Sequence, residues 1–208
     1  MDEKWKIEAI KAFAFIDILT GTFPDILARI QPGHSSIFMQ GKDVTIEKAV
    51  KEMKRLLLDL FNQKIQLDPL VLRLLTCKQT SEMLTCILEK DRIQVVWTID
   101  KTQLCFFSKF IINVDVLKSV LHEHFLTAGF SNSSQQSSKF CLSNAFLEIT
   151  KMNEDKLLVL ETTRSGINIA ATKQIILELL HREKMFYTDS INTRGVQGMY
   201  LLKKKHIY

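Results

Sequence analysis

The sequence lacks the residues and motifs on which several classes of protein function depend. Its 208 residues include only seven glycines and three prolines, and no glycine-rich loop of the kind that cradles nucleotide phosphates. The GxSxG, GxGxxG and P-loop motifs are absent, and no cysteine and histidine share the local context of a nucleophile. No apolar run approaches the roughly 18 residues that span a bilayer. We therefore expect no enzyme and no membrane-spanning protein, with no catalytic residue, cofactor, metal or small-molecule substrate.

The cysteines and the net charge narrow the class of protein further. The four cysteines form no CxxC pair and no regular disulfide framework. Cys77 and Cys86 lie on a predicted helix pair and are expected to be core thiols. The charged start Met1-Asp2-Glu3-Lys4 lacks the apolar segment of a signal peptide, so we expect a cytoplasmic or nuclear protein with reduced cysteines. The net charge of +5 allows a nucleic-acid partner without requiring one.

One pattern occurs three times along the chain: a short apolar strand, a polar break and a long amphipathic helix. The three strand-helix pairs are Ile37–Gly41 with Thr45–Phe61, Leu104–Ser108 with Val114–Phe125, and Leu157–Glu161 with Ile167–Leu180. Repetition at intervals of about 50 to 70 residues indicates a small supersecondary unit that is used several times. We predict units at residues 1–63, 64–127 and 128–190, with residues 191–208 as a C-terminal extension or the start of a further unit.

The predicted fold class is α+β, with tandem small units of antiparallel sheet backed by helices. The middle unit is predicted in the order β-α-α-β-β-α: strand Lys64–Asp68, a helical region Pro69–Glu89 broken near Lys78, strands Arg92–Ile99 and Gln103–Lys109, and the helix from Val114. The first unit is predicted to open with strand Trp5–Ala9, followed by helix Lys11–Leu19, which stops at Gly21. The third is predicted to contain a hairpin of Ala145–Met152 with Lys156–Thr162, after a mobile polar connector, Ser131–Ser138. Lys184–Asp189 resembles the opening strand of another unit.

The three long helices should pack their apolar faces on the sheet of their own unit, because their apolar residues are three and four positions apart. The residues that we expect to be buried in this way are Val50, Met53, Leu57, Leu117, Leu121, Ile176 and Leu180.

The order β-α-α-β-β-α, clearest over Lys64–Phe125, resembles that of a type I KH domain. A closer resemblance is carried by Lys64-Ile65-Gln66-Leu67-Asp68-Pro69, by Leu104–Ser108, and by Ile37-Phe38-Met39-Gln40-Gly41-Lys42 with Glu47-Lys48-Ala49-Val50. In these segments the chain resembles the divergent KH-like repeats of the macrodomain-containing, interferon-induced ADP-ribosyltransferases (the BAL-type poly-ADP-ribose polymerase family). The resemblance implies an RNA-binding or scaffolding module of innate immunity within an antiviral, ADP-ribosylation-linked protein. It implies no catalysis in this chain.

A KH domain that binds nucleic acid holds four nucleotides on a GxxG loop between its first two helices. The first predicted unit has only Gly21 at that junction, and the second has Thr76–Thr80, which contains no glycine. The third has no glycine between Gly129 and Gly166. We therefore expect a non-catalytic interaction or scaffold module, with at most weak RNA binding and with a protein partner or self-association.

The residues that we predict to contact RNA are Lys51, Lys54, Arg55, Trp97, Lys203, Lys204 and Lys205. The lysines and the arginine would bind phosphate. Trp97, Phe106 and Phe107 would stack bases if they were exposed, although their apolar neighbours favour a place in the core. Two alternatives remain open: a genuine single-stranded RNA-binding module that uses basic helix faces and strand aromatics, and a module that self-associates through sheet edges or helix faces.

Overall fold

Helices and antiparallel sheets alternate along the chain, so the predicted α+β class is confirmed. The computed structural model describes residues 4–31, 36–131, 133 and 135–186. In chain order the elements are α1 (Lys4–Ala12), α2 (Phe15–Thr22), β1 (Leu27–Ile30), β2 (Ile37–Gln40), α3 (Asp43–Leu58), β3 (Phe61–Gln66), α4 (Pro69–Thr76), α5 (Lys78–Lys90), β4 (Val96–Asp100), β5 (Gln103–Ser108), α6 (Val114–His124), β6 (Phe125–Ser131), α7 (Gln135–Cys141), α8 (Asn144–Asn153), β7 (Leu158–Thr163), β8 (Gly166–Thr172) and α9 (173–186).

The chain folds into two compact units. The first contains Met1–Leu67 and Leu84–Val120, and the second contains Asp68–Met83 and Leu121–Tyr208. Compactness does not test where a sequence repeat begins and ends. The three predicted intervals therefore stay a prediction.

The order of elements repeats, and so does the order of strands. The order β-α-α-β-β-α predicted for the middle of the chain is confirmed in β3-α4-α5-β4-β5-α6, and it recurs in β6-α7-α8-β7-β8-α9. The corresponding sheets have the strand orders β3-β5-β4 and β6-β8-β7, so the third strand in sequence is central and the first lies at an edge. The first part of the chain has the order α1-α2-β1-β2-α3, and its sheet contains β1 and β2 alone among the described residues.

The core of the first unit joins the N-terminal helices to the sheets. Phe13, Phe15, Leu19 and Met53 are buried together with residues of β4 and β5. The indole ring of Trp5 stacks on the ring of Phe107, with 3.8 Å between centroids and an interplanar angle of 4°. This contact fixes α1 against the sheet that contains β5.

The core of the second unit is built around three phenylalanines. Phe130, Phe140 and Phe146 lie with their ring centroids 5.5–5.9 Å apart in tilted and edge-to-face arrangements. Helix α4 packs on all three strands of the β6-β8-β7 sheet. The Thr80 hydroxyl, fully buried, donates to the Lys156 carbonyl oxygen at 2.6 Å.

The predicted strand Trp5–Ala9 is wrong, because these residues belong to helix α1. Ala9, Ile10 and Phe13 are buried at helical spacing, which alternation over only five residues does not distinguish from a strand. The first helix ends at Ala12, and Ala14 takes a left-handed conformation with φ 53°. Gly21 lies inside α2 and therefore does not stop a helix there.

The predicted strand Ala145–Met152 is also wrong, since these residues form α8. The Ser143 hydroxyl caps the helix by accepting from the Phe146 N–H at 3.3 Å. The polar connector predicted at Ser131–Ser138 is only partly described. Ser131 ends β6. Helix α7 begins at residue 135, and its Phe140 is buried in the core.

The C-terminal helix begins later than predicted. The segment from Ile167 to Thr172 belongs to β8, the central strand, and α9 begins at residue 173. Residues 184–186 are helical, so the strand predicted at Lys184–Asp189 is wrong for that part, and the rest lies outside the described residues. At the other end of the chain, the helix predicted to run to Phe61 ends at Leu58.

Burial of the helix faces is confirmed at most of the predicted positions. Leu117, Leu121, Ile176 and Met53 are at most 5% exposed, and Leu57 is half-buried. The prediction was wrong for Leu180 and Val50, which are 43% and 37% exposed. Val50 is exposed because it lines a groove of the first unit.

Candidate functional site

A groove of about 480 Å³ lies in the first unit between α1, β2 and α3. The residues that line it are Lys6, Ile7, Ile10, Ser36, Ile37, Met39, Ile46, Val50, Met53, Lys54 and Leu57. Most of these are apolar. A groove of this size and character suits an apolar ligand or a segment of polypeptide.

The spacing of the lining residues explains why they share the groove. Val50, Met53 and Leu57 lie three and four positions apart, so α3 presents them on one face. Ile37 and Met39 are two apart on β2 and therefore point to the same face of the strand. Both faces are left partly uncovered, as the 37% exposure of Val50 records.

Strand β2, which contributes Ile37 and Met39 to this groove, is paired along one edge only among the described residues. On that edge β2 pairs with β1 in antiparallel register, from Leu27 opposite Gln40 to Ile30 opposite Ile37. Among the described residues no strand pairs with the second side. By contrast, β5 and β8, which occupy the same place in the order of elements, are paired on both sides. A strand that lines an apolar groove and has an unpaired edge can accept an added strand.

The charged side chains that line the groove are basic. They are Lys6 on α1 and Lys54 on α3, and among the described residues no carboxylate lines it. Lys54 is exposed. The groove therefore favours an occupant that is apolar on one face and carries negative charge nearby.

The three basic residues of α3 that were predicted to contact RNA, Lys51, Lys54 and Arg55, lie in different environments. Lys54 lies at the groove, whereas Lys51 is exposed and does not line it. The Arg55 guanidinium donates to both carboxylate oxygens of Glu52, at 2.9 and 2.5 Å, and to Asp59 at 2.6 Å. The hydrogen bond from Arg55 holds the pKa of Glu52 below its usual range. The donors of Arg55 are thus already engaged, which weakens it as a phosphate ligand.

The strand aromatics do not form an exposed platform. Phe106 and Phe107 are 1% and 4% exposed, which confirms the expectation of a core position. Trp97 is half-buried, and its indole N–H donates to the Thr85 hydroxyl at 3.2 Å. Lys203, Lys204 and Lys205 lie outside the described residues.

The junctions between α1 and α2, α4 and α5, and α7 and α8 are too short to hold a nucleotide-binding loop. The junctions are Phe13-Ala14, Cys77 and Leu142-Ser143, none of which contains glycine. A GxxG loop alone needs four residues, and its glycines let the backbone approach the nucleic acid closely. The described helix pairs therefore lack the phosphate contact of a nucleic-acid-binding KH domain.

The cysteines do not suggest a reactive site. Cys105 and Cys141 are buried, and burial raises the pKa of each thiol. Burial likewise raises the pKa of Cys77, whereas Cys86 is exposed, contrary to the core position expected for it. In the part of the chain that the structure describes, no three histidine, cysteine or acidic residues are grouped to hold a metal. Within that part, no helix combines the length and apolarity needed to cross a membrane.

Comparisons with protein-family models, curated proteins and solved structures found no significant match to this chain. The groove must therefore be interpreted from its own chemistry. None of its residues other than Lys54 was singled out from the sequence as a binding residue. The available signal was the helical spacing of Ile7 and Ile10, which both lie in α1 and line the groove.

Proposed function

We propose that the chain is a non-catalytic interaction module that binds an extended polypeptide segment in the groove of α1, β2 and α3. The observation that carries this function is that β2, which lines an apolar groove, has one edge that no described strand pairs with. An extended segment would add its backbone to the β2 edge and place alternate apolar side chains in the groove. Lys54, which is exposed at the groove, favours a segment that also carries an acidic residue.

KH-like units in tandem are part of this proposal. The order β-α-α-β-β-α, present twice, supports them, as does the order α-α-β-β-α of the described elements from α1 to α3. With the sequence resemblance, this arrangement favours a scaffold in an antiviral, ADP-ribosylation-linked protein of the cytoplasm or nucleus. Units at 1–63, 64–127 and 128–190 belong to the same proposal.

The groove can be tested with a library of eight-residue peptides that have apolar residues at alternate positions. We expect peptides selected by the wild-type chain to bind at least about tenfold more weakly to Val50→Arg, because a charged side chain would occupy the groove. Val44→Arg is the matched control, since Val44 lies on the same helix, is 66% exposed and does not line the groove. The proposed function fails if no peptide binds, or if the selected peptides bind Val50→Arg as well as they bind the wild type.

RNA binding is expected to be weak and dependent on phosphate contacts alone. Because only a few lysine side chains are proposed to contact phosphate, log affinity should fall with log salt at a slope of about −1 to −3 for single strands. Lys54→Glu should weaken binding to all sequences alike, whereas Arg55→Glu should have a smaller effect because Arg55 is already paired with Glu52. Fluorescence anisotropy with labelled oligonucleotides measures both effects. Tight, sequence-specific binding at physiological salt that Trp97→Ala abolishes would instead favour the strand-aromatic RNA module.

A further inference from the structure

The first strand of each three-stranded sheet has a fixed place in the chain. Strand β3 begins at Phe61, shortly after α3 ends at Leu58, and β6 begins at Phe125, directly after α6 ends at His124. In both cases the strand continues from a long helix and becomes the edge partner of the third strand in its own sheet, β5 or β8. The β1-β2 sheet has no strand in this position among the described residues.

Residues 187–192 occupy the corresponding place after α9. Their sequence is Tyr187-Thr188-Asp189-Ser190-Ile191-Asn192, and it follows a helix that is described to residue 186. We propose that this segment, from a second copy of the chain, is the strand that the β2 edge receives. The proposal rests on the proposed function, because it names the occupant of the same groove.

The sequence of the segment fits the groove. In an extended conformation Tyr187, Asp189 and Ile191 share one face. Two apolar side chains would then enter an apolar groove, with a carboxylate between them and with Lys54 among the groove residues. This modest apolar content is typical of first strands in this chain. Strand β3 buries Ile65 alone, and β6 buries only two phenylalanines.

The order of elements along the chain favours a segment from a second copy, and not from the same chain, as the strand added to β2. Phe186 packs on Phe140, with 5.9 Å between the ring centroids, so the last described residue of α9 is held against the core of the second unit. The central strand of that unit, β8, already has a partner on each side, β6 and β7. A further copy would repeat the connection made twice within the chain, in which a helix of one sheet leads into the first strand of the next. Such a contact is heterologous, so it produces open chains of copies or closed rings.

Two complementary variants test this directly. Val50→Arg blocks the groove and keeps the segment, and the double variant Tyr187→Asp with Ile191→Asp disrupts the segment and keeps the groove. We expect the wild type to show a mass that rises with concentration above the 24.0 kDa of one chain. Each variant alone should stay at one chain. Their equimolar mixture should form a complex of two chains and nothing larger, because only one competent groove and one competent segment remain.

The controls separate this inference from the proposed function. Val44→Arg should associate like the wild type, and circular dichroism should show that every variant is folded. A wild type that stays at one chain at high concentration overturns the inference, as does a mixture of the two variants that does not associate. If library peptides still bind the groove and Val50→Arg abolishes their binding, the proposed function stands without this occupant. If neither the segment nor any library peptide binds, both fail.

Discussion

Gly166→Ala is expected to destabilise the second unit by about 2–4 kcal/mol. Gly166 begins β8 with φ 153°, and an added Cβ would lie 2.0 Å from the Phe130 carbonyl oxygen. Backbone at both positions would have to move, which disturbs the pairing of Gly166 with Ser131 and with Thr163. The free energy of unfolding from urea titration measures the loss.

The control for this change is Gly21→Ala, which should have the opposite sign. Gly21 is inside α2, and an added Cβ would meet nothing within 4 Å. Alanine restricts the unfolded chain and favours the helix, so we expect a gain of about 0.5–1 kcal/mol. A loss at Gly21 equal to that at Gly166 would show that the local environments were wrongly assigned.

Phe140→Ala is expected to have the largest effect on stability, a loss of about 3–5 kcal/mol. The Phe140 ring is fully buried and contacts Phe130, Phe146 and Phe186. Its removal leaves a cavity between helices α7, α8 and α9 and strand β6, and rigid ring neighbours close such a cavity poorly. A fall of about 6 °C or more in the melting temperature follows for a chain of this size.

Phe110→Ala is the matched control, because the same side chain is removed where it is 73% exposed. We expect a change within about 0.5 kcal/mol. If the two variants were equally stable, residues 135–141 would not be docked as helix α7. The mobile polar connector predicted at Ser131–Ser138 would then describe residues 135–138 better than a docked helix does.

The middle of the chain could be predicted from sequence because its signals are local. Asp68 accepts from the Leu70 N–H and caps α4 at Pro69, and Asn113 accepts from the Asp115 N–H at the start of α6. The turn between β4 and β5 consists of Lys101 and Thr102, with Lys101 at φ 54°. Each of these features depends on residues within a few positions of one another, which a single sequence records.

The β6-β8-β7 sheet could not be predicted in the same way, because buried and exposed residues do not alternate along its central strand. Strand β8 is central, and Ile169, Ala170, Ala171 and Thr172 are all buried. A strand covered on both faces gives a continuous apolar run, which merges with the amphipathic pattern of α9 that follows it. The sequence therefore predicted one long helix where a strand and a helix are present.

The groove was missed for a related reason. Predicting Trp5–Ala9 as a strand gave the first unit one strand too many, whereas the described residues of its sheet contain β1 and β2 alone. Helix α1 instead contributes Ile7 and Ile10 to the wall of the groove. An unpaired strand edge is a property of the tertiary fold, because it depends on which strands are near one another and not on the residues of β2.

Amide hydrogen exchange at β2 shows whether a bound segment pairs with the edge of this strand. The chain would be compared alone and with a saturating library peptide, in the wild type and in Val50→Arg. We predict that amides of Ile37–Gln40 on the free edge are slowed on binding in the wild type alone, because they donate to the added strand. Unchanged exchange in β2 would show that no segment adds to this strand. Protection confined to the helix junctions at Phe13-Ala14, Cys77 and Leu142-Ser143 would show the same.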